Sequence, residues 1–405
     1  MAVRSYIAGA PGAHAGTLRP RRVGGSAAMP RAVAGARAAR PCRRVLAAAT
    51  KDNGTKKLSE VYTKEMQAKM GGDLTYRHEQ GMNYARIWPD IIVGSCPQTA
   101  KDIDTLADKE NVKIVVCLQE DKDLANFDVD VQELRDRCEE RGDVLHLRLP
   151  IRDFDPFDLR LGLPSAISVM HREMQRHCAT SVARLGKQPT VYIHCTAGLG
   201  RAPGVALALV HWTRGVPLSD AYEQLFLQRE CHPKLFAIRE ATIDILSGGH
   251  RVGVVLSVRA RKGSVVQIAG LDVGWSGRIA LEWSDERHRF EVHRELPPGT
   301  YQYKYIIDGT WTHSSDAPTL ADNGNVNNMV DAVPADTDAS YWTYRHRLMA
   351  ECAPGSGFTC GPTKEELEHV KRVIESGSMI DEKRRPGNVA EAEATMTKAA
   401  AARQN

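Results

Sequence analysis

The sequence has no long hydrophobic run. Its most apolar uninterrupted stretch, Gly204–Val210, falls far short of the roughly 20 residues that cross a bilayer, so no transmembrane helix and no membrane partner are expected. It contains no C-x-x-C pair and no internal repeat. The nine cysteines (Cys42, Cys96, Cys117, Cys138, Cys178, Cys195, Cys231, Cys352 and Cys360) are odd in number and scattered. No spacing among them, Cys352 to Cys360 included, fits a common zinc site or a disulfide framework. No metal and no cofactor are therefore expected, and most of these thiols are read as core or inert surface residues. Acidic side chains are missing from one region: residues 1–50 hold nine Arg and no Asp, Glu or Lys. Taking those nine from whole-chain totals of 54 basic and 50 acidic groups leaves the remainder net acidic. That balance argues against a nucleic-acid partner; a monomer is expected.

The first fifty residues are rich in Ala, Gly and Arg and lack the apolar core of a secretory signal. Arg-rich, acid-free leaders mark organelle transit peptides, with processing expected near 45–50. A chloroplast address fits better than a mitochondrial one, because the leader is not clearly amphipathic; the bland alternative is a disordered basic tail. The whole chain, 405 residues with 42% hydrophobic and 26% charged side chains, has ordinary globular composition and room for two domains.

From about Met82 to Ser247, short β-branched runs alternate with longer helical patterns. Asp90–Ser95, Val112–Leu118, Val144–Leu149 and Val191–His194 read as strands. Thr99–Asp108, Val129–Arg141, Pro164–Arg184, Pro203–Arg214, Ser219–Gln228 and Lys234–Leu246 read as helices. This predicts an α/β domain with a central, mostly parallel sheet flanked by helices. After Ser247-Gly248-Gly249 the pattern changes to short strands at Val252–Val258, Ser264–Ile268, Ile279–Trp283, Arg289–Val292 and Tyr301–Asp308, an all-β sandwich. The expected organisation is a transit peptide at 1–50, a lead-in at 51–75, an α/β domain at 76–248, a β module at 251–334 and an extension at 335–405. Within the extension, Lys364–Ile374 reads as an amphipathic helix and Ala390–Ala402 as frayed or disordered.

The chemistry is concentrated in His194-Cys195-Thr196-Ala197-Gly198-Leu199-Gly200-Arg201-Ala202-Pro203, which runs from a strand end into a helix with Pro in its first turn. Cys and Arg six apart, with two Gly between, make a tight loop whose amides can all face inward. At a helix N-terminus such a cup suits a tetrahedral phosphate, and the same field favours thiolate at Cys195. Arg201 can grip two phosphate oxygens bidentately. His194 reads as a residue shaping the loop. A leaving oxygen also needs an acid from elsewhere. Asp153 and Asp155 follow a predicted strand in Ile151-Arg152-Asp153-Phe154-Asp155-Pro156-Phe157-Asp158, and either can equally be a turn-stabilising Asp.

The loop H-C-x-x-G-x-x-R resembles the signature of the cysteine-dependent, dual-specificity type of tyrosine phosphatase. That resemblance selects Asp153 as acid, with Asp155 as the fallback. Ala202 departs from the superfamily's usual Ser or Thr after the Arg, so breakdown of the intermediate must be assisted differently or be slower. The combination Cys-Thr-Ala-Gly-Leu-Gly-Arg-Ala-Pro resembles the plant and algal phosphoglucan phosphatases of the starch-excess type. These carry a family 48 carbohydrate-binding module, which Gly270–Trp275, Tyr303–His313 and Asn327-Asn328 resemble. Flat indoles suit the C–H faces of sugars, and Lys and Asn suit their hydroxyls. Trp275, Lys304, Trp311, Asn327 and Asn328 are therefore the expected glucan-binding set, the alternative being that the Trp are sandwich core. Tyr76, Phe127 and Phe154 are expected around the cleft as further glucan-binding residues, with core packing the alternative, and Phe157 is read as core. At His232, plant relatives often have an aromatic. The resemblance implies a phosphatase acting on starch-like α-glucans at the granule surface in the chloroplast stroma. A dual-specificity protein phosphatase parked on starch and an inactive glucan-binding scaffold are the alternatives. Cys117, at a strand end, is a possible redox partner of Cys195, or simple core.

Overall fold

The computed structural model describes residues 53–185, 189–322, 325–335, 339–350 and 361–379. The leader expectation at 1–50, Cys42, Cys352, Cys360 and the Ala390–Ala402 reading lie outside these residues. Up to the Gly248-Gly249 junction the elements are α1 (Asn53–Met70), β1 (Tyr84–Trp88), β2 (Ile91–Gly94), α2 (Ala100–Glu110), β3 (Val112–Cys117), α3 (Asp121–Ala125), α4 (Val131–Arg141), β4 (Leu145–Arg148), α5 (Pro156–Leu185), β5 (Thr190–His194), α6 (Arg201–Arg214), α7 (Leu218–Gln228) and α8 (Leu235–Leu246).

The sheet order is β1-β2-β5-β3-β4. β2, β5, β3 and β4 pair in parallel, and β1 pairs antiparallel to β2 at the edge. β1 was not expected. Its run Tyr-Ala-Arg-Ile-Trp exposes only Arg86 and buries both neighbours on each side, so no alternation announces it. The fully buried strands β2 and β5 are continuous apolar runs, as parallel strands covered on both faces must be. α6 is buried at 13 of its residues, from Arg201 to Thr213. A helix apolar all round belongs inside, and α6 packs against the sheet and against α5, α7, α8 and α10 (Lys364–Ser376).

Local chemistry sets the helix ends. At α4 the Asp130 carboxylate accepts from the amides of Gln132 and Glu133, and Gly142 closes the helix in the left-handed region at φ 66°. α5 begins eight residues earlier than expected. Asp155 accepts the Asp158 amide at 2.9 Å and Pro156 occupies the first position, so the start signal lies upstream and the helix runs through Pro164.

The β module continues with β6 (Val252–Val258), β7 (Val266–Gly270), β8 (Gly274–Ala280), β9 (Glu282–Ser284), β10 (Arg289–Leu296), β11 (Gly299–Ile307), β12 (Thr310–Thr312), β13 (Thr319–Asp322) and β14 (Asn325–Ala332). One sheet has the order β6-β10-β9, and the other runs β13-β14-β11-β7-β8 with β12 on β11. All pairs are antiparallel, and Leu256, Ile268, Tyr301, Tyr303 and Tyr305 fill the space between the sheets. β12 to β14 escaped the sequence reading because their Thr-, Asn- and Asp-rich runs lack β-branched alternation.

The chain then returns to the first domain. α9 (Ala339–Met349) lays Tyr341 on Ile243 of α8, and α10 buries Leu367, Val370 and Ile374 in the same core as α6. Thr363 and Glu366 cap α10 reciprocally.

The two sheet systems are joined by buried chemistry. Arg160 of α5 binds both oxygens of Asp244 at 2.7 and 2.6 Å and donates to the Pro298 carbonyl of the module at 2.9 Å. Phe157 stacks on Tyr301 with centroids 4.7 Å apart. Arg152 donates to the Asp272 carbonyl at 2.8 Å. Gly274 is required beside it, since a Cβ there would sit 2.9 Å from Arg152 Nε at φ +70°.

Candidate active site

Residues 195–201 join the end of β5 to the start of α6, and the carbonyls of 196–199 are held from outside. The Thr196 carbonyl accepts from the Cys96 amide at 3.0 Å, and the Leu199 carbonyl from the His232 amide at 2.8 Å. Arg229 donates to the carbonyls of Ala197 at 2.9 Å and Gly198 at 2.7 Å. Four consecutive carbonyls are thus turned outward into fixed partners, which leaves the amides of the same peptides facing the interior of the loop. That is a nest for an anion, at the N-terminus of a helix whose dipole adds to it. Gly198 has φ +71°, and a Cβ there would lie 2.3 Å from the Gly94 backbone, so only glycine fits.

Arg201 closes the loop. Its Nη1 binds Asp123 Oδ2 at 2.5 Å and the Ile151 carbonyl at 3.0 Å, and its Nη2 lies 2.8 Å from Asp153 Oδ2 and 3.2 Å from Thr196 Oγ1. Burial would lower its pKa, but the charges of Asp153, Cys195 and Asp123 hold it well above the ordinary value. Its charge is permanent and its fork is aimed.

The two candidate acids separate clearly. Asp155 caps α5 and pairs with Arg152 at 3.0 Å, and Asp158 accepts the Arg152 amide at 2.6 Å. Asp153 alone reaches the loop. Beneath the loop, Cys117 stands in register with His194, and Cys117, His146 and His194 bring one donor atom each within 4.8 Å. Burial pushes the Cys117 thiol up to about 11 and the His194 imidazole down to about 3. His194 is therefore neutral at ordinary pH and fully buried, consistent with shaping the loop. Among the described residues Cys117 and Cys195 are both free thiols.

The expected glucan set divides. Trp275 and Trp311 are exposed, at 46% and 45%, so neither is sandwich core. Arg278, which carries no sequence signal of its own, lies over the Trp311 ring at 4.9 Å and donates to the Trp275 carbonyl at 2.9 Å, so one side chain touches both tryptophans. Lys304 is half-buried on β11; Asn327 is a correction, only 5% exposed with its side-chain amide donating to Gln302 at 2.8 Å. Asn328 is a correction. It is 0% exposed, accepts the Ser314 amide and donates to the Ser314 carbonyl, both at 2.8 Å; its amide is used up inside the module. Tyr76 and Phe127 pack on Tyr62 of α1 and are closed off in this structure. They are 2% and 6% exposed, because α1 lies over them. Phe154 is half-buried under Lys69 and packs on Tyr62. Phe157, read as core, packs on the hydrophobic core of the module beside Tyr301.

Sequence reasoning also passed over Arg229, Asp123 and Tyr62. The Tyr62 hydroxyl donates to Asp153 Oδ2 at 2.7 Å. None of these carries a local signal, since each meets the loop from a separate segment of the chain.

Two family models match the chain. The "Swiss Army Knife protein, DSP-PTPase phosphatase domain" covers residues 87–234, and the "Glycogen recognition site of AMP-activated protein kinase" covers 254–338. The phosphoglucan phosphatase DSP4, amyloplastic, of Castanea sativa is 41% identical over 295 residues, which is 72% of this chain and 76% of that protein. The chain belongs to the phosphoglucan phosphatase family. The phosphoglucan phosphatase LSF1, chloroplastic, of Arabidopsis thaliana is 32% identical over 67% of this chain, a stretch that makes up 45% of its own length. Among solved structures, that of PTPMT1 aligns with 39% of this chain and 92% of its own, at 21% identity and a TM-score of 0.30. As a family member the chain pairs a cysteine-dependent phosphatase domain with a glucan-binding module, and the sequence expectation for fold and family is met.

Proposed function

We propose that this chain removes phosphate monoesters from starch-like α-glucans in plastids, with the module presenting the polysaccharide to the cleft. Both relatives bear the name phosphoglucan phosphatase, and their names carry amyloplastic and chloroplastic addresses. The acid-free leader at 1–50 fits import into such an organelle. The observation that carries the reading is the shared support of acid loop and module. Arg152, next to Asp153, touches Asp272 and Gly274, and Trp275 follows directly. A glucan lying on Trp275 and Trp311 is thereby delivered toward the loop that holds the acid.

The proposed chemistry begins with the phosphate in the amide nest of Thr196, Ala197, Gly198, Leu199 and Gly200, clamped by Arg201. The Cys195 thiolate attacks phosphorus in line, forming an S–P bond as the P–O bond to the sugar breaks. Asp153 gives its proton to the departing sugar oxygen. Water then attacks phosphorus, the S–P bond breaks and inorganic phosphate leaves. The nest and Arg201 hold the same equatorial oxygens in both steps, in a site closed to solvent where fixed dipoles act most strongly. Trp275, Lys304 and Trp311 are the proposed glucan contacts of the module.

Cys117 is proposed as a protective partner. A peroxide oxidises the Cys195 thiolate to a sulfenic acid, and the Cys117 thiol displaces water to close a disulfide that a dithiol reopens. The test of the main reading is phosphate release from amylopectin by wild type and Cys195→Ser. Release by wild type alone supports it; release by the serine variant removes it.

A further inference from the structure

The mechanism leaves one element unexplained. α1 stands before the matched phosphatase region and lies directly over the catalytic cleft. Its inward side is Ser59, Tyr62, Met66 and Met70, a spacing of three to four residues that puts them on one helix face. Ser59 and Met66 are 2% and 1% exposed. The Tyr62 ring meets Tyr76, Phe127 and Phe154 at centroid distances of 5.8, 5.8 and 5.9 Å. At the far end, the Met70 methyl lies 3.2 Å from where a Cβ on Gly200 would stand, at the rim of the phosphate loop. Cys195 beneath is 3% exposed.

This arrangement opposes turnover in two ways. Met70, Phe154 and Asp153 line the small pocket over Gly200 and Arg201, which leaves a phosphorylated sugar little room to reach the nucleophile. Asp153 Oδ2 also accepts from both Tyr62 and Arg201, so this oxygen is engaged where it should be offering a proton, and Arg201 spends a donor on it that phosphate needs.

Apart from the Tyr62 hydroxyl on Asp153, the polar attachment of α1 is local in the chain. Its polar ties run to the segment just before β1: Ser59 with the His78 amide and Glu79, Thr63 with the Tyr76 backbone, and Gln67 with the Leu74 carbonyl. The chain leaves α1 through Gly71 and Gly72, both at positive φ (77° and 81°), a natural hinge. Under the helix lie Tyr76, Phe127 and Phe154, flat apolar rings of the kind that take the face of a sugar.

We propose that α1 is a lid on the catalytic cleft, latched to Asp153 by Tyr62, and that an α-glucan chain opens it by replacing the helix on the aromatic floor. The glucan part rests on the function proposed above. The lid exchanges one set of apolar contacts for another, so the substrate itself selects the open state. A small phosphate ester without a sugar chain lacks that exchange and meets a mostly closed enzyme.

The test uses the full chain and p-nitrophenyl phosphate, which needs no glucan to be hydrolysed. Tyr62→Phe removes only the latch hydroxyl, and Met66→Asp loosens the helix. Each is expected to raise kcat/KM on the dye roughly three- to ten-fold, the range set by losing one hydrogen bond. Hydrogen exchange supplies a readout independent of any variant: amides of 53–70 should exchange faster when maltoheptaose is added. Unchanged or lower dye hydrolysis by Tyr62→Phe, or exchange in α1 that maltoheptaose leaves alone or slows, overturns the lid. The two proposals fail separately. Faster dye hydrolysis with no phosphate released from amylopectin keeps the closed helix and removes the glucan reading. Normal release from amylopectin with unchanged dye hydrolysis does the reverse.

Discussion

Arg229 holds the carbonyl of Gly198 at 2.7 Å. The same guanidinium also binds Ala197 and Asn83, so it orients two adjacent peptides of the phosphate loop at once. Each carbonyl it turns outward turns an amide inward. The anion site is therefore built from behind, by a side chain that never meets the substrate. Arg229→Met should leave Cys195 and Arg201 in place while the amides lose aim. We expect kcat/KM on p-nitrophenyl phosphate to fall roughly 100-fold, the scale of losing one preorganised oxyanion donor. Lys at this position cannot serve both carbonyls with one fork and should restore little.

Asp153 makes a second prediction, which depends on the leaving group. A sugar alkoxide needs a proton far more than nitrophenolate does. Asp153→Asn should lower phosphate release from amylopectin by roughly 100- to 10,000-fold, and dye hydrolysis much less. Asp155→Ala, which removes the cap of α5, should cost about 1 kcal/mol of stability and leave that selectivity unchanged. Equal losses on both substrates for Asp153→Asn would remove the acid role.

Trp275 and Trp311 are exposed, so replacing them should hardly touch folding. Either change to Ala should shift stability by no more than about 0.5 kcal/mol. The double change should weaken amylopectin binding by roughly ten-fold or more, about 1.4 kcal/mol, with dye hydrolysis unaffected. Co-sedimentation with insoluble starch and thermal melts read the two effects separately. Asn328→Ala should do the opposite: burying an unpaired Ser314 amide and carbonyl should destabilise the module by about 1–3 kcal/mol.

The buried imidazoles make stability fall in acid. Burial lowers His146 to about 4 and His194 to about 3, whereas in the unfolded chain both titrate at the ordinary value near 6.5. Between that value and 4 the unfolded state binds protons that the native state refuses. Stability is therefore complete above about pH 6.5 and falls with pH, by up to about 1.4 kcal/mol per unit for each group. Urea midpoints at pH 7, 6 and 5 should decline progressively, and His146→Gln should flatten part of the decline.

How far the sequence discloses this molecule depends on how local each feature is. Residues 194–203 can be read outright, because strand end, loop and helix start are contiguous and their chemistry is complete within ten positions. Trp275 and Trp311 were legible because each sits beside turn-forming Gly or Asp. Arg229, Asp123 and Tyr62 were not: each meets the loop from another segment, and no composition or period points to them. Tyr76 and Phe127 were read as cleft residues, yet what covers them is a helix whose role no local pattern declares. β1 and the early start of α5 were missed for a related reason. An edge strand with one exposed residue does not alternate, and Pro164 looked like a beginning when Asp155-Pro156 already supplied one.

The last described helix carries a consequence for how this protein is made. Leu367, Val370 and Ile374 complete the hydrophobic interior around α6, yet they follow the whole β module in the chain. A ribosome releases the phosphate loop long before it releases the residues that seal the domain containing it. The module is in effect an insertion within the enzyme and has its chance to fold first. A nascent chain that ends between the β module and α10 keeps every reactive group and lacks the wall that packs against α6.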